Sequence, residues 1–353
     1  HDALPIYQNR WAVVNKWRSG ADIGQMTVWR DGGRAGAWRD FAGDEKGDAI
    51  DLVAYGLDGI VSQESRMHAL EWLEHRYGIR NKPPAERAAM AREADARRQQ
   101  RDEDAAAAQK ARRRRAQKFF YGSSDRLEGT PPAIYLGEVR GTPIGEIPNL
   151  SAALRYRARC QYWEGTPRNA AGEKTGPAPE FDALISCMVD VDGHIGANHY
   201  TFVEPDGSGK LDTAGRGFRH EDGKAKSAKL MFPETGGLFV PVTYGPSGLK
   251  HYKAPASADL VGLTEGIEDA CSAGMVEPVL RMHAVGSLSG LGSVPDLGCA
   301  RGYLVFRDND WAKPQAVAMF DRAIARLRSF GKPVEVTAVP PDWGKDVNDA
   351  LRG

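Results

Sequence analysis

The sequence predicts a multidomain α/β protein whose C-terminal part is a mostly parallel sheet flanked by helices. Three short apolar runs near the C-terminus, residues 260–263, 303–306 and 334–339, are typical of buried strands, and helix-length segments separate them. Strands that alternate with helices favour a parallel sheet. The chain has 353 residues, which is enough for two or three domains, so further units are expected upstream.

Residues 1–80 are predicted to form a small N-terminal unit. Residues 27–30 and 37–41 have the composition of two short strands, and Asp31-Gly32-Gly33 between them is a strong hairpin turn. Two helices are predicted next, over residues 48–57 and 63–77.

Residues 81–118 are predicted to be a charged helical linker. The segment is rich in Ala, Arg, Glu and Gln and lacks a continuous apolar stripe, so a solvated helix or a flexible linker is expected. It ends in Arg112-Arg113-Arg114-Arg115. This run either binds nucleic-acid phosphates or is the charged surface of a tether, and the sequence leaves both open.

Residues 119–258 are predicted to be a mixed α/β subdomain with antiparallel strands. Residues 184–189 and 199–203 each lead into a glycine-containing turn, as in a meander. Its basic residues are candidates for binding nucleic acid and nucleotides: Arg155, Arg157, Arg159, Lys210, Lys226 and Lys229. The three arginines are spaced by two, which predicts one shared strand face. A solvated basic surface is the alternative.

Acidic clusters follow or adjoin the predicted C-terminal strands. They are Glu265-Gly266-Ile267-Glu268-Asp269, Asp308-Asn309-Asp310 and Asp346-Val347-Asn348-Asp349. The carboxyl ends of parallel strands meet at one edge of a sheet, where ligands gather. Carboxylates held that close repel one another, and a hard divalent cation neutralises them. The alternative is that these residues only cap helices and fill loops.

This arrangement predicts a site for Mg²⁺ or Mn²⁺ that serves phosphoryl transfer. Asp308, Asp310 and Asp346 are the preferred ligands, directly or through water, and Glu265 is either a further ligand or a general base. Two such ions stabilise both the attacking and the leaving oxygen of a phosphoryl group.

The overall composition excludes several other classes. Lys and Arg number 47 and balance 47 Asp and Glu, so net charge identifies no partner. Four scattered cysteines fit reduced thiols of a cytoplasmic protein, without a disulfide framework or a zinc knuckle. No apolar stretch approaches membrane-spanning length, so no membrane partner is expected. Residues 204–211 resemble a phosphate-binding loop but lack its leading glycine and final Ser or Thr.

The order of the acidic clusters resembles the Toprim domain of bacterial, phage and plasmid DNA primases, which is shared with topoisomerases and some nucleases. Residues 259–353 carry the resemblance, and residues 199–210 and 236–240 resemble strings of the phage and plasmid proteins. The resemblance implies a Mg²⁺-dependent primase, with single-stranded DNA and nucleoside triphosphates as partners and a replicative helicase as a candidate partner. We predict the catalytic residues to be Glu265, Asp269, Asp308 and Asp310, and the metal ligands to be Glu265, Asp308, Asp310, Asp346 and Asn348.

The N-terminal unit resembles a primase zinc ribbon that has lost its metal. Residues 38–41 and 47–53 carry this resemblance, yet no cysteine precedes Cys160, so no zinc is expected. Packing through Trp29, Trp38 and Phe41 is predicted to replace the ion, with stacking on unpaired bases as the alternative.

The sequence leaves three functions in competition. The first is a DNA primase that synthesises short RNA primers on single-stranded DNA. The second is a Toprim nuclease that uses the same carboxylates to cleave phosphodiester bonds, and the third is a non-catalytic DNA-binding replication protein. Asn348 stands where bacterial primases tend to carry a second aspartate, which predicts a weaker metal site.

Overall fold

The computed structural model describes residues 4–7, 10–13, 26–30, 35–40, 45–78, 82–169, 173–220, 222–309 and 314–352. These residues form three sheets and divide into two compact units, residues 1–109 and 110–353. Within the described residues, no helix is both long and apolar enough to cross a membrane.

The first unit contains a five-stranded antiparallel sheet in which the strands follow one another in sequence order. The strands are β1 (Leu4–Tyr7), β2 (Arg10–Val13), β3 (Met26–Trp29), β4 (Trp38–Asp40) and β5 (Lys46–Gly47). The predicted pairing of β3 with β4 is confirmed. The predicted turn, Asp31-Gly32-Gly33, lies outside the described residues.

Trp38 is the centre of the small core in this unit. Its side chain is buried among Met26, Val28 and Tyr55, and its ring centroid lies 4.8 Å from that of Tyr55. An aromatic core therefore packs this sheet, as predicted for Trp38. Phe41, which was predicted to take part in this packing, lies outside the described residues.

Two helices follow the first sheet at the predicted places. They are α1 (Ala49–Asp58) and α2 (Gln63–Arg76). The Asp48 side chain accepts hydrogen bonds from two backbone N–H groups of the first turn of α1, and Gly59 ends that helix with φ +75°. The next helix, α3 (Pro84–Tyr121), spans the predicted linker as one continuous helix whose buried residues, Ala116 and Phe120, lie near its end.

The second unit begins with short helical turns and an antiparallel sheet. The helix α4 (Pro131–Ile134) runs into a π-helical turn, Tyr135–Val139. The sheet has the order β6-β7-β8-β9. Its strands are β6 (Leu154–Gln161), β7 (Glu180–Val189), β8 (Ile195–Val203) and β9 (Lys229–Phe232). The predicted antiparallel meander is confirmed by the pairing of β7 with β8.

A bulge in β6 corrects one expectation about the arginines. Arg157 pairs with Ala183 and Cys160 pairs with Phe181, so β6 carries one extra residue between them. This insertion reverses the alternation of side chains. Arg159 therefore does not share the face of Arg155 and Arg157; it adopts φ +50° and pairs with Glu180.

The C-terminal sheet confirms the predicted fold class. Its order is β10-β12-β11-β13-β14, and only the pairing of β10 with β12 is antiparallel among the described strands. The strands are β10 (Val240–Pro241), β11 (Asp259–Thr264), β12 (Leu280–Ala284), β13 (Ala300–Arg307) and β14 (Val334–Ala338). The helices are α5 (Ile267–Val276), α6 (Leu288–Leu291), α7 (Pro314–Arg328) and α8 (Val347–Arg352). The sequence did not predict β10 or β12.

A buried ion pair joins two neighbouring strands of this sheet. The guanidinium of Arg281 on β12 lies 2.7 Å from the carboxylate of Asp259 on β11, and both side chains are almost completely buried. Arg281 also donates hydrogen bonds to the Leu249 carbonyl and the Ser247 hydroxyl. The charge is therefore fully partnered, as burial requires.

Replacing Asp259 with Ala should destabilise the second unit strongly, because it leaves the Arg281 guanidinium buried without its carboxylate. We expect a loss of about 3–5 kcal/mol in the free energy of unfolding. Calorimetric unfolding of the full chain measures this loss as a lower midpoint. Arg159→Ala is the control, because that side chain is 86% exposed in its ion pair with Glu180 and such pairs contribute about 1 kcal/mol or less. Equal shifts for the two variants would contradict the prediction.

Candidate active site

The first two acidic clusters lie at the carboxyl edge of the parallel sheet. β11 ends at Thr264 and is followed by Glu265, and β13 ends at Arg307 and is followed by Asp308. These two strands are adjacent and parallel. Glu265 and Arg307 also line one small pocket, which places the ends of both strands side by side.

Asp269 is a buried carboxylate that lies close to Asp346, Glu268 and Asp308. It lies in the first turn of α5, and Gly266 makes room for it, since a Cβ there would lie 2.3 Å from its Oδ2. Burial, followed by the charges of Asp346, Glu268 and Asp308, raises the pKa of Asp269 to about 7. Residues from all three predicted clusters therefore interact electrostatically at one place.

Asn309 connects the loop after β13 to the loop that leads into α8. Its side-chain Nδ2 donates hydrogen bonds to the carbonyls of Val339, at 2.8 Å, and Gly344, at 2.9 Å. Its backbone N–H donates to the Lys345 carbonyl at 2.7 Å. These contacts hold the segment just before Asp346 against the second acidic cluster.

Asp346 begins the last helix and faces a cation from the antiparallel subdomain. Its Oδ1 accepts a hydrogen bond from the backbone N–H of Asp349 at 2.9 Å. The guanidinium of Arg140 lies 3.7 Å from Asp346 and 4.0 Å from Asp349. The side chain of Arg140 is 15% exposed, and its Nε has no hydrogen-bond partner among the described residues.

Asn348 is completely buried beside Asp269. Its backbone N–H donates to Oδ1 of Asp269 at 3.2 Å, and its side-chain Nδ2 donates to Ser272 Oγ at 2.8 Å and to the Arg140 carbonyl at 2.5 Å. The amide oxygen, Oδ1, has no hydrogen-bond partner among the residues described. Asn348 thus packs the third cluster against α5, and its role as a metal ligand stays a prediction.

Glu268 is a site residue to which the sequence analysis assigned no role. Its carboxylate is buried and accepts hydrogen bonds from the Tyr135 hydroxyl at 3.0 Å and from Nζ of Lys229 at 2.8 Å. Nζ of Lys210 lies 3.3 Å away. The sequence placed Glu268 next to Asp269 and marked Lys210 and Lys229 as candidate binding residues. Nothing in it indicated that the carboxylate and the two lysines are in contact.

The charges of this network depend on one another. Burial opposes ionisation of Glu268, but Lys229 and then Lys210 outweigh it and lower its pKa. Burial lowers the pKa of Lys210, whereas the closer contact with Glu268 overcomes burial at Lys229 and raises its pKa. The Tyr135 hydroxyl stays protonated, since burial and Glu268 raise its pKa. An ionised carboxylate is therefore held between two ammonium groups and a phenol.

The acidic residues fit a hard divalent cation. Carboxylate oxygens are its preferred ligands, and burial together with the neighbouring carboxylates raises the pKa of Asp269. Glu265, Asp269, Asp308 and Asp346 are the described carboxylates that could hold it. The predicted ligand Asp310 lies outside the described residues.

Comparison with known families agrees with this geometry. Residues 260–353 match the family model of the Toprim domain. The C-terminal part of the chain is a Toprim domain. This confirms the resemblance predicted from the acidic clusters. Residues 110–233 match a second family, a domain of unknown function, DUF7146. No curated protein is significantly similar to the chain.

Solved primase structures resemble the chain at low sequence identity. A DNA primase domain from Pseudomonas aeruginosa is 15% identical with a TM-score of 0.40, over 68% of this chain and 74% of that one. The Aquifex aeolicus primase, with its zinc-binding and RNA polymerase domains, is 13% identical with a TM-score of 0.40, over 100% and 77%. The E. coli primase catalytic core is 13% identical with a TM-score of 0.41, over 67% and 74%.

The predicted lysines divide into two groups. Lys210 and Lys229 come from the antiparallel subdomain and reach Glu268 of the Toprim domain. Lys226 lies elsewhere, because its Nζ donates a hydrogen bond to the backbone carbonyl of Glu164 at 2.7 Å.

Arg155 and Arg157 contact the end of α3. Arg155 donates a hydrogen bond to the Ser123 carbonyl at 2.9 Å, and Arg157 donates to the Gly122 carbonyl at 2.8 Å. Their guanidinium groups also lie over the rings of Phe120, at 4.8 Å, and Phe119, at 5.2 Å. These contacts join β6 to the helix, and binding of nucleic acid by these arginines stays a prediction.

A further group of ligand-type side chains lies outside the Toprim domain. Atoms of Asp190, Asp192 and His194 lie within 4.8 Å of one another in the turn between β7 and β8. The Asp190 carboxylate accepts hydrogen bonds from the backbone N–H groups of the other two residues. The cluster therefore has a structural explanation as a capped turn.

His199 should make the stability of the protein depend on pH. It is buried near Lys210 and Lys229, and burial followed by these charges lowers its pKa from 6.5 to about 3. Between these values the unfolded chain binds a proton that the folded protein does not, so stability falls as the pH drops below about 6.5. His199→Gln should reduce the loss of unfolding free energy between pH 6.5 and pH 5 by about 2 kcal/mol.

Urea unfolding followed by circular dichroism at the two pH values measures this difference. The matched control is His220→Gln, which replaces an exposed histidine. An unchanged pH dependence in His199→Gln would contradict the prediction, even if that variant is less stable at both pH values.

Proposed function

We propose that this chain is a DNA primase-like nucleotidyltransferase that synthesises short RNA primers on single-stranded DNA. One observation carries the proposal: two lysines supplied by the preceding subdomain contact Glu268, and its neighbour Asp269 lies close to the carboxylates of the other two acidic clusters. The chain thereby combines a candidate metal centre with cations for anionic substrates. Its partners would be the template strand and nucleoside triphosphates.

The carboxylates would hold Mg²⁺ or Mn²⁺. The proposed ligands are Glu265, Asp308, Asp310, Asp346 and Asn348, and the proposed catalytic residues are Glu265, Asp269, Asp308 and Asp310. When bound, such ions neutralise charge on a phosphoryl group and activate the attacking oxygen. Glu265 would be a ligand or the base that removes the proton of an attacking hydroxyl.

Lys210 and Lys229 would attract the phosphates of the incoming nucleotide. Each ammonium has three N–H donors. Glu268 holds both groups in place, at 3.3 and 2.8 Å, and each ammonium has more donors than these contacts use. A phosphate that approaches the carboxylates would therefore meet positioned donors, which costs less entropy than ordering free lysines.

The other predicted parts complete the proposed enzyme. Residues 119–258 would bind the template, with Arg155, Arg157, Arg159 and Lys226 as further cations, and residues 1–80 would be a ribbon-like unit without zinc. A Toprim nuclease would use the same carboxylates but would need no triphosphates, and a non-catalytic binder would not depend on the carboxylates for its activity.

The direct test is primer synthesis by the full chain. Incubation with single-stranded DNA, four ribonucleoside triphosphates and Mg²⁺ or Mn²⁺ should yield short RNA oligomers, separated on a denaturing gel. Glu265→Gln and Asp308→Asn should each lower the yield at least about a hundredfold, because each removes a charge from the proposed metal centre.

The controls replace exposed acids of the same domain outside the cluster, Glu277→Gln and Asp321→Asn, and should retain full activity. Metal-dependent cleavage of DNA without triphosphates would instead identify a nuclease. DNA binding without any product, unaffected by Glu265→Gln, would identify a non-catalytic protein and overturn the proposal.

Asn309 should tune metal affinity without being a ligand. Asn309→Ala removes two hydrogen bonds that hold the segment before Asp346. Loss of such a supporting contact typically weakens metal binding about 10- to 100-fold. Titration of Mn²⁺, followed by electron paramagnetic resonance, measures this affinity. Asn169→Ala, which removes an exposed contact to Glu173, is the control; equal affinity in both variants would show that the loop does not need this support.

A further inference from the structure

A second pocket lies at the other end of the antiparallel sheet from the two lysines. It is formed where the end of α3, the start of β6 and the turn between β7 and β8 meet. Ile195, the first residue of β8, lines it, whereas Lys229 pairs with Thr201, six residues further along that strand. At about 3.3 Å per residue, the pocket is roughly 20 Å from Lys229 along the strand.

The walls of this pocket combine aromatic rings with positive charge. Four aromatic residues line it: Phe120, Tyr121, Tyr244 and Tyr252. Of the described residues that line the pocket, Arg155 and Lys250 are charged at neutral pH and none is acidic. Burial lowers the pKa of the histidine in its wall, His251. The pocket therefore suits a flat ligand that carries negative charge.

The rings of Tyr252 and His251 are held in place by the surrounding backbone. Tyr252 lies directly against Gly193, since a Cβ there would be 2.1 Å from its Cε1. Tyr252 as a residue is nevertheless 43% exposed, and Tyr121 on the helical side is 60% exposed. His251 Nε2 lies 3.1 Å from the carbonyls of Asp190 and Val191, so its neutral ring donates a hydrogen bond and is fixed in orientation. Exposed rings on a fixed frame are stacking surfaces.

The cations lie next to these rings. Arg155 is 4.8 Å from the centre of the Phe120 ring and 5.5 Å from that of Tyr121, and Lys250 is 6.0 Å from that of Tyr252. The Nε of Arg155 is buried and has no hydrogen-bond partner among the described residues. The pocket has a volume of about 170 Å³ and is open to solvent at its mouth.

We propose that this pocket binds a nucleobase with its phosphate, through stacking on Tyr252 and Tyr121 and through Arg155 and Lys250. Two kinds of ligand present a base together with a phosphate, namely a free mononucleotide and a nucleotide within a single strand. The site lies apart from the Toprim carboxylates and its occupancy needs no metal, so it does not rest on the proposed polymerase activity.

The test measures ligand binding to the full chain in the presence of EDTA. EDTA removes divalent cations, so binding that needs a metal at the Toprim domain does not contribute to the measurement. The probes are AMP, GMP, CMP and UMP, by calorimetry, and a fluorescent (dT)12, by anisotropy. Tyr252→Ala and Lys250→Gln should each weaken the binding observed about tenfold or more. Ala152→Trp, at an exposed position of the pocket wall, should abolish it by filling the space.

The matched controls are Tyr77→Ala and Lys253→Gln, an exposed tyrosine and an exposed lysine that do not line the pocket. Binding of a mononucleotide that Ala152→Trp abolishes supports the proposal with a free nucleotide as the ligand. If (dT)12 binds, no mononucleotide binds, and Ala152→Trp abolishes the binding of (dT)12, the proposal is supported with a single strand as the ligand. Absence of binding by every probe, or binding that Ala152→Trp leaves unchanged, overturns it. Neither result depends on whether the chain synthesises primers.

Discussion

The contact on which the candidate active site depends is the burial of the Glu268 carboxylate between Lys210, Lys229 and Tyr135. A carboxylate at this depth costs several kcal/mol unless cations and donors surround it. The preceding subdomain supplies all three partners, and the Toprim domain supplies the carboxylate. Because Glu268 lies in the first turn of α5, the same contact fixes the helix start that carries Asp269 and adjoins Glu265.

Elements with a local signal could be predicted from the sequence. β11, β13 and β14 are apolar runs bounded by polar turns, and the acidic clusters at or near their ends come together as expected. β12 was missed, although it is buried at every position, because Arg281 and His283 interrupt its apolar pattern. Nothing in the sequence indicates that Asp259 neutralises the charge of Arg281.

The parts that could not be predicted depend on contacts between distant residues. Nothing local indicates that Arg155 and Arg157 turn toward the end of α3, or that one extra residue in β6 separates Arg159 from them. The role of Asn309 depends on carbonyls that are 30 and 35 residues away. Spacing predicts which face a residue occupies only while the strand is regular, and bulges and tertiary hydrogen bonds are not visible in a pattern of residue types.

The contacts of Glu268 also limit which domains could replace the Toprim domain or the subdomain that precedes it. The carboxylate belongs to the segment that matches the Toprim family, and its partners belong to the segment that matches DUF7146. A Toprim domain grafted onto a different neighbour would carry a buried anion without its cations, and the subdomain alone would leave two adjacent ammonium groups to repel each other. The two segments therefore stabilise each other, and a change at residue 268 would leave the ammonium groups of Lys210 and Lys229 without their shared carboxylate.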